Sequence, residues 1–293
     1  MLTAFVALCG AVVYGSADFL GGLAAKRISA IMVTAVSATS GLFVLVLVLP
    51  FVAGQWSVSA VLWGALSGVT GALAITLLYA CLAIGPMSIL SPLTAVVSAI
   101  VPMTAGLLGG ERFLAIGYWA LGLALIAVVL VGFVPERGAV RPRPVGIVMA
   151  IGAGILIGTF IILIDQTPAD SGIIPLVMNR FVSGGIMFAV VGLTAGRSLQ
   201  RRRAERPAPR ARSTNLKTGV KLAIACGVID VTANLLLLLG LRLGDLSVVS
   251  VLTAMYPSGT ILLAAVVLRE RIAPVQWLGL VLALTAAGML AIA

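Results

Sequence analysis

The sequence contains no histidine, and only 10% of its 293 residues are charged. Without histidine the chain lacks the commonest metal ligand and the usual general base near neutral pH. Most metalloprotease and histidine-dependent hydrolase chemistries are therefore excluded. The scarcity of charge excludes more, because a soluble domain carries charge on about a quarter of its residues. With 61% hydrophobic residues and a mean hydropathy of +1.21, this chain is built for lipid. The three cysteines, Cys9, Cys81 and Cys226, lie far apart in apolar runs, so neither a disulfide framework nor a zinc site is suggested. They read as small packing residues, and no metal or other cofactor is expected.

What is present is a series of ten apolar runs, at about 2–24, 28–53, 58–84, 86–109, 113–134, 145–165, 172–195, 218–240, 244–268 and 274–293. Each is long enough to cross about 30 Å of hydrocarbon as a helix. Their continuity does not fit the alternating pattern of a barrel strand. The expectation is an all-α integral membrane protein of ten transmembrane helices with no aqueous domain. Lys26 and Arg27 follow the first run rather than precede it, so that run reads as a retained helix and not a signal peptide.

The formal charge of +10 suggests nucleic acid only until its distribution is read. With ten spans the termini share a side and the loops form two sets. One set holds 16 basic residues: Lys26, Arg27, Arg137, Arg141, Arg143, nine between Arg197 and Lys221, Arg269 and Arg271. The other holds Arg112 and Arg242, and Arg180 lies inside a span. The positive-inside bias places the basic loops in the cytoplasm of a multi-pass protein of the cytoplasmic membrane, with both termini outside. The loop at 197–217 reads as an orientation signal in contact with anionic lipids, a dedicated lipid or partner switch being the alternative.

An internal repeat is the most informative feature. The stretch from Gly85, GPMSILSPLTAVVSAIVPMTAGLLGGERF, overlays that from Gly244, GDLSVVSVLTAMYPSGTILLAAVVLRERI, without a gap at an offset of 159. Ser88 meets Ser247, Ser91 meets Ser250, Leu93-Thr94-Ala95 meets Leu252-Thr253-Ala254, and Glu111-Arg112 meets Glu270-Arg271. The first two spans of each half align at an offset of 143, where Gly15-Ser16 meets Gly158-Thr159; the basic loop accounts for the difference. The repeats are expected at 1–136 and 145–293. Each holds five helices, an odd number, so the second enters the membrane from the opposite face. Inverted five-helix repeats are an arrangement of many secondary transporters, with a solute site near the midplane.

Two five-helix repeats, each with a Glu-Arg junction (GGERF, LRERI) before a Gly/Ala-rich last helix, resemble the EamA-type members of the drug/metabolite transporter superfamily. The resemblance covers nearly the whole chain. It implies a ten-helix basket that carries small metabolites, often as an exporter of amino acids or related compounds. Two departures stand out. Many relatives have cytoplasmic termini, against the charge count here, and Ser98 occupies the position matching Pro257, the first-half proline falling one turn later at Pro102.

Charged side chains at bilayer depth cost roughly 2.5 to 3.5 kcal/mol on insertion scales and mark a pathway or a pair. Asp230 sits near the middle of the eighth span, sharing a face with Cys226, Gly227 and Asn234. It reads as a group for a substrate amine or a proton, against a structural hydrogen bond to a neighbouring helix. Asp18, on a face with Tyr14 and Gly22, is a second such group, against pairing with Lys26 or Arg27. Arg180, beside Asn179, offers a fork to a substrate carboxylate, against snorkelling or pairing with Asp230. Ser91, Thr94 and Ser98 fall on one face of the fourth span, and Ser250, Thr253 and Pro257 on the equivalent face of the ninth. These are two hydroxyl strips facing a midplane cavity, or else packing contacts. Tyr79 and Tyr256 are candidates for an aromatic wall. Glu111 and Glu270 read as caps before the last helix of each repeat, and Gly64/Gly68 and Gly154/Gly158 as close helix contacts.

An integral-membrane enzyme is the rival from another class, but the sequence has no Ser-Lys arrangement, no Asp-rich diphosphate motif and no phosphate-cradling loop. A non-transporting sensor or scaffold is the third reading. The expectation is a non-enzymatic secondary transporter working by alternating access on a small solute, coupled to protons or to exchange.

Overall fold

The computed structural model describes residues 1–25, 27–84, 87–132, 143–204, 216–267 and 273–290, with the side chains of 79, 82–84, 87–89, 91, 194–204, 261, 264 and 265 outside the description. Among the described residues the structure is all helix: α1 (Leu2–Ala25), α2 (Ala30–Val48), α3 (Val58–Ile84), α4 (Met87–Leu108), α5 (Ala115–Gly132), α6 (Pro144–Asp165), α7 (Ile174–Ala204), α8 (Leu216–Leu243), α9 (Leu246–Thr253), α10 (Pro257–Val267) and α11 (Pro274–Leu290). Six of them, α1, α2, α3, α6, α7 and α8, are long and apolar enough to cross a membrane. The outward surface of the bundle is apolar, with Phe5, Phe43, Trp119, Phe181 and Leu284 all more than 60% exposed. The contacts made by residues 268–272, which hold Glu270, and by most of the basic loop lie outside the described residues.

The ninth span is not one helix. The last α-type bond of α9 is Ala254 N to Ser250 O at 2.9 Å; Met255, Tyr256 and Ser258 then bond three residues back, to Leu252, Thr253 and Met255. Such a turn is tighter than an α-helix, and Pro257, which has no N–H to give, starts the next helix. The fourth span carries Pro92 and Pro102 inside a helix that continues through both. The two halves therefore bend differently at the position where Ser98 stands for Pro257.

Packing follows small residues. α1 lies on α8 and on both pieces of the ninth span, and α6 lies on α3 and α4. α2 meets α7 and α8, α3 meets α7, α4 meets α9, and α5 meets α11. Gly64 and Gly68 of α3 sit on the Pro175 and Asn179 backbone of α7, and Gly154 and Gly158 of α6 sit on Thr94, Val97 and Val101 of α4. A close backbone approach falls at Gly15 of α1, where an added Cβ would lie 2.2 Å from the Tyr256 carbonyl oxygen. Only glycine lets α1 press against the α9–α10 break, where the Thr260 hydroxyl also donates to the Gly15 carbonyl at 3.1 Å.

One end of the bundle is laced shut. Gln55 N donates to Asp170 O at 2.9 Å, and Thr3 Oγ1 donates to Leu243 O at 3.0 Å. The guanidinium of Arg242 donates to Thr167 Oγ1 at 2.6 Å and to Pro168 O at 2.8 Å. Glu111 is a cap, but not of the helix that follows it. Its carboxylate accepts from Leu246 N at 2.7 Å and Ser247 N at 3.1 Å, at the start of α9. Residues 111–114 form no helix, and the Glu111 side chain is turned toward the start of α9 rather than of α5.

Candidate substrate cavity

In the middle of the bundle lies a cavity of about 190 Å³. Helices α1, α2, α3, α4, α6, α7 and α8 and the α9–α10 break all contribute to its wall. Of the expected site residues, Tyr14, Asp18, Arg180, Asp230, Asn234, Thr253 and Tyr256 line it. Thr94 and Ser250 do not. Both are fully buried, and Thr94 Oγ1 donates to Leu90 O at 3.0 Å and Ala150 O at 3.2 Å, whereas Ser250 Oγ donates to Ser247 O at 3.1 Å. Their hydroxyls return to backbone carbonyls, as hydroxyls in apolar surroundings must when no other partner is near. The side chains of Tyr79 and Ser91 lie outside those described.

The charged residues do not share one fate. Arg180 reaches from α7 to the carboxylate of Asp230 on α8 and forms an ion pair with it. Asn234, one turn along α8, donates to Asp230 O at 2.7 Å and to Asp230 Oδ2 at 3.3 Å. Asp18 has neither a hydrogen bond nor an ion pair among the described residues, Arg27 included, while Lys26, the other expected partner, lies outside those described. It stands open on the cavity wall. Two hydroxyls share its isolation: Tyr14 Oη and Thr253 Oγ1 are buried without a partner. Orphaned polar atoms are rare in folded proteins, and here both belong to one cavity.

Other wall residues carried no sign of it in the sequence. Ile157, Phe160 and Ile161 of α6 and Gly71, Ala72, Ala74, Ile75 and Leu78 of α3 form an apolar side. The repeat alone identifies them, since Asp18 at the offset of 143 corresponds to Ile161, and Asp230 at the offset of 159 to Gly71. Asn179 also lines the cavity and holds Ser67 Oγ at 2.9 Å. Among the described residues no group of His, Cys, Asp or Glu is placed to hold a metal.

The residues described thus form a polytopic, membrane-type helix bundle around a central, partly charged cavity. The model of the EamA-like transporter family matches residues 144–292, just over half of the chain. The chain belongs to that family, a family of transporters within the drug/metabolite transporter superfamily. Among solved structures, a crystal structure of another protein superposes with a TM-score of 0.70 over 99% of this chain and 98% of its own length. At 14% identity that is a likeness of fold. A search of curated proteins gave no match.

Proposed function

We propose that the protein is a secondary transporter built from two five-helix units in opposite orientation, exporting a small metabolite across the cytoplasmic membrane by alternating access. The observation that carries this reading is the composition of the cavity wall. At the repeat offsets, Tyr14 corresponds to Ile157, Ala17 to Phe160, Asp18 to Ile161, Ser37 to Arg180, Gly71 to Asp230, Ile75 to Asn234 and Leu78 to Leu237, and every one of these residues lines the cavity. A cavity lined by equivalent positions of both halves lies where a repeat axis would pass, the place where transporters with inverted repeats hold their solute.

Helix packing supports the same reading. Exchanging the halves turns α1 on α8 into α6 on α3, α2 on α8 into α7 on α3, and α1 on α9 and α10 into α6 on α4. The pairs α2 with α7, α4 with α9 and α5 with α11 map onto themselves. Export fits the uneven reach of the cavity. Its wall extends to Val33 and Thr34, within a turn or so of the Arg27 end of α2, while the opposite end is laced by Arg242 and Glu111. With the basic loops cytoplasmic, solute loads from inside. Coupling is to protons or to counter-exchange, with Asp18 and Asp230 as the membrane-embedded acids.

The test is flux in proteoliposomes against a panel of amino acids, nucleosides, sugars and organic cations at two pH values. Saturable movement of at least one class is expected. Absence of flux for every class, with solute binding retained, identifies a non-transporting sensor instead.

A further inference from the structure

The charge balance of the cavity narrows the solute class, taking the transport reading as given. Among the described lining residues the charged groups are Asp18, Asp230 and Arg180. Arg180 and Asp230 neutralise each other, and Asn234 fixes the acid from below. Among the described residues Asp18 is left as one carboxylate with no partner, facing a space that also holds the unpartnered hydroxyls of Tyr14 and Thr253, the latter 95% buried. An isolated carboxylate at this depth is costly unless a proton or a counter-charge joins it, so a solute cation and a proton compete for the same group.

The wall is also divided. Each charged position has a neutral counterpart in the other half: Ile161 for Asp18, Gly71 for Asp230, Ser37 for Arg180. The frame repeats and its chemistry does not. Asp18, Arg180 and Asp230 come from α1, α7 and α8, whereas α3 and α6 supply only apolar surface to the cavity. Tyr14, Tyr256 and Phe160 add aromatic rings, which favour a quaternary or primary ammonium.

We propose that the cavity takes an organic monocation with an apolar body, its cationic head against Asp18 and its body on the α3–α6 wall. A zwitterion is disfavoured because its carboxylate meets no free cation among the described lining residues: Arg180 would first have to release Asp230. An anion faces the same obstacle with Asp18 repelling it.

Benzyltrimethylammonium, phenylalanine and benzenesulfonate present one ring with a cationic, a zwitterionic and an anionic head. Binding of each to the purified full-length protein in detergent is measured calorimetrically, and flux of each is measured in proteoliposomes. The cation is expected to bind at least tenfold more tightly than the other two. Asp18→Asn is expected to weaken it at least tenfold, and Asp18→Glu to restore it, in variants that remain monodisperse on size exclusion. Wild-type preference for phenylalanine or benzenesulfonate overturns the proposal while leaving transport intact, as does cation affinity indifferent to Asp18→Asn. Cation binding that depends on Asp18 without flux of any solute upholds this site and overturns the transport reading instead.

Discussion

Arg180 and Asp230, fifty residues apart in sequence, meet as an ion pair on the wall of the central cavity. Removing one partner leaves an uncompensated charge in a poorly hydrated place, whereas removing both does not. Arg180→Met and Asp230→Leu are each expected to destabilise the protein by roughly 3 kcal/mol, and the double variant to recover most of the loss. Thermal unfolding in one detergent checks this. Equal and additive losses would mean that the pair contributes nothing as a pair.

The hydroxyls of Tyr14 and Thr253 have no partner among the described residues, so their removal is expected to cost the fold nothing while depriving a bound solute of contacts. Tyr14→Phe and Thr253→Val are expected to leave the melting temperature unchanged or higher. Each should raise the KM for the transported solute roughly two- to tenfold, the range of a single hydrogen bond. Unfolding scans and flux kinetics on the same preparations separate the two effects.

Arg242 ties the end of α8 to the Thr167–Pro168 turn, linking loops that must part if the cavity is to open on that side. Arg242→Ala is expected to lengthen the distance between spin labels at Gln55 and Leu114, measured by pulsed electron resonance. An unchanged distance distribution would remove this residue from the gate.

Gly15 and Gly22 lie on the same helix and differ in their surroundings. Space at Gly15 is taken by the Tyr256 carbonyl and Gly259, while nothing lies within 4 Å of the Cβ position at Gly22. Gly15→Val is expected to abolish the monodisperse peak on fluorescence size exclusion, and Gly22→Ala to leave it unaltered.

The helices were legible because lipid demands contiguous apolar residues, and most of the boundaries fall within a few residues of the runs. The break at Ala254–Tyr256 was not, although Pro257 stood out, because Pro92 and Pro102 look equally disruptive and α4 absorbs both. Asp18, Arg180 and Asp230 announced themselves through the cost of charge at depth. Thr94 and Ser250 show the limit of helical periodicity: it names the residues that share a face, not the neighbour that face meets, and the α6 backbone claims Thr94. Ile161 and Gly71 have no chemical mark at all and emerge only as the counterparts of charged residues.

Gly15 bears on the Tyr256 carbonyl, and Asp18 follows it by three residues on the same helix. Less than one turn of α1 therefore separates the notch that receives the break in the ninth span from the carboxylate on the cavity wall, so a change in the angle of that break has a short mechanical path to the acid.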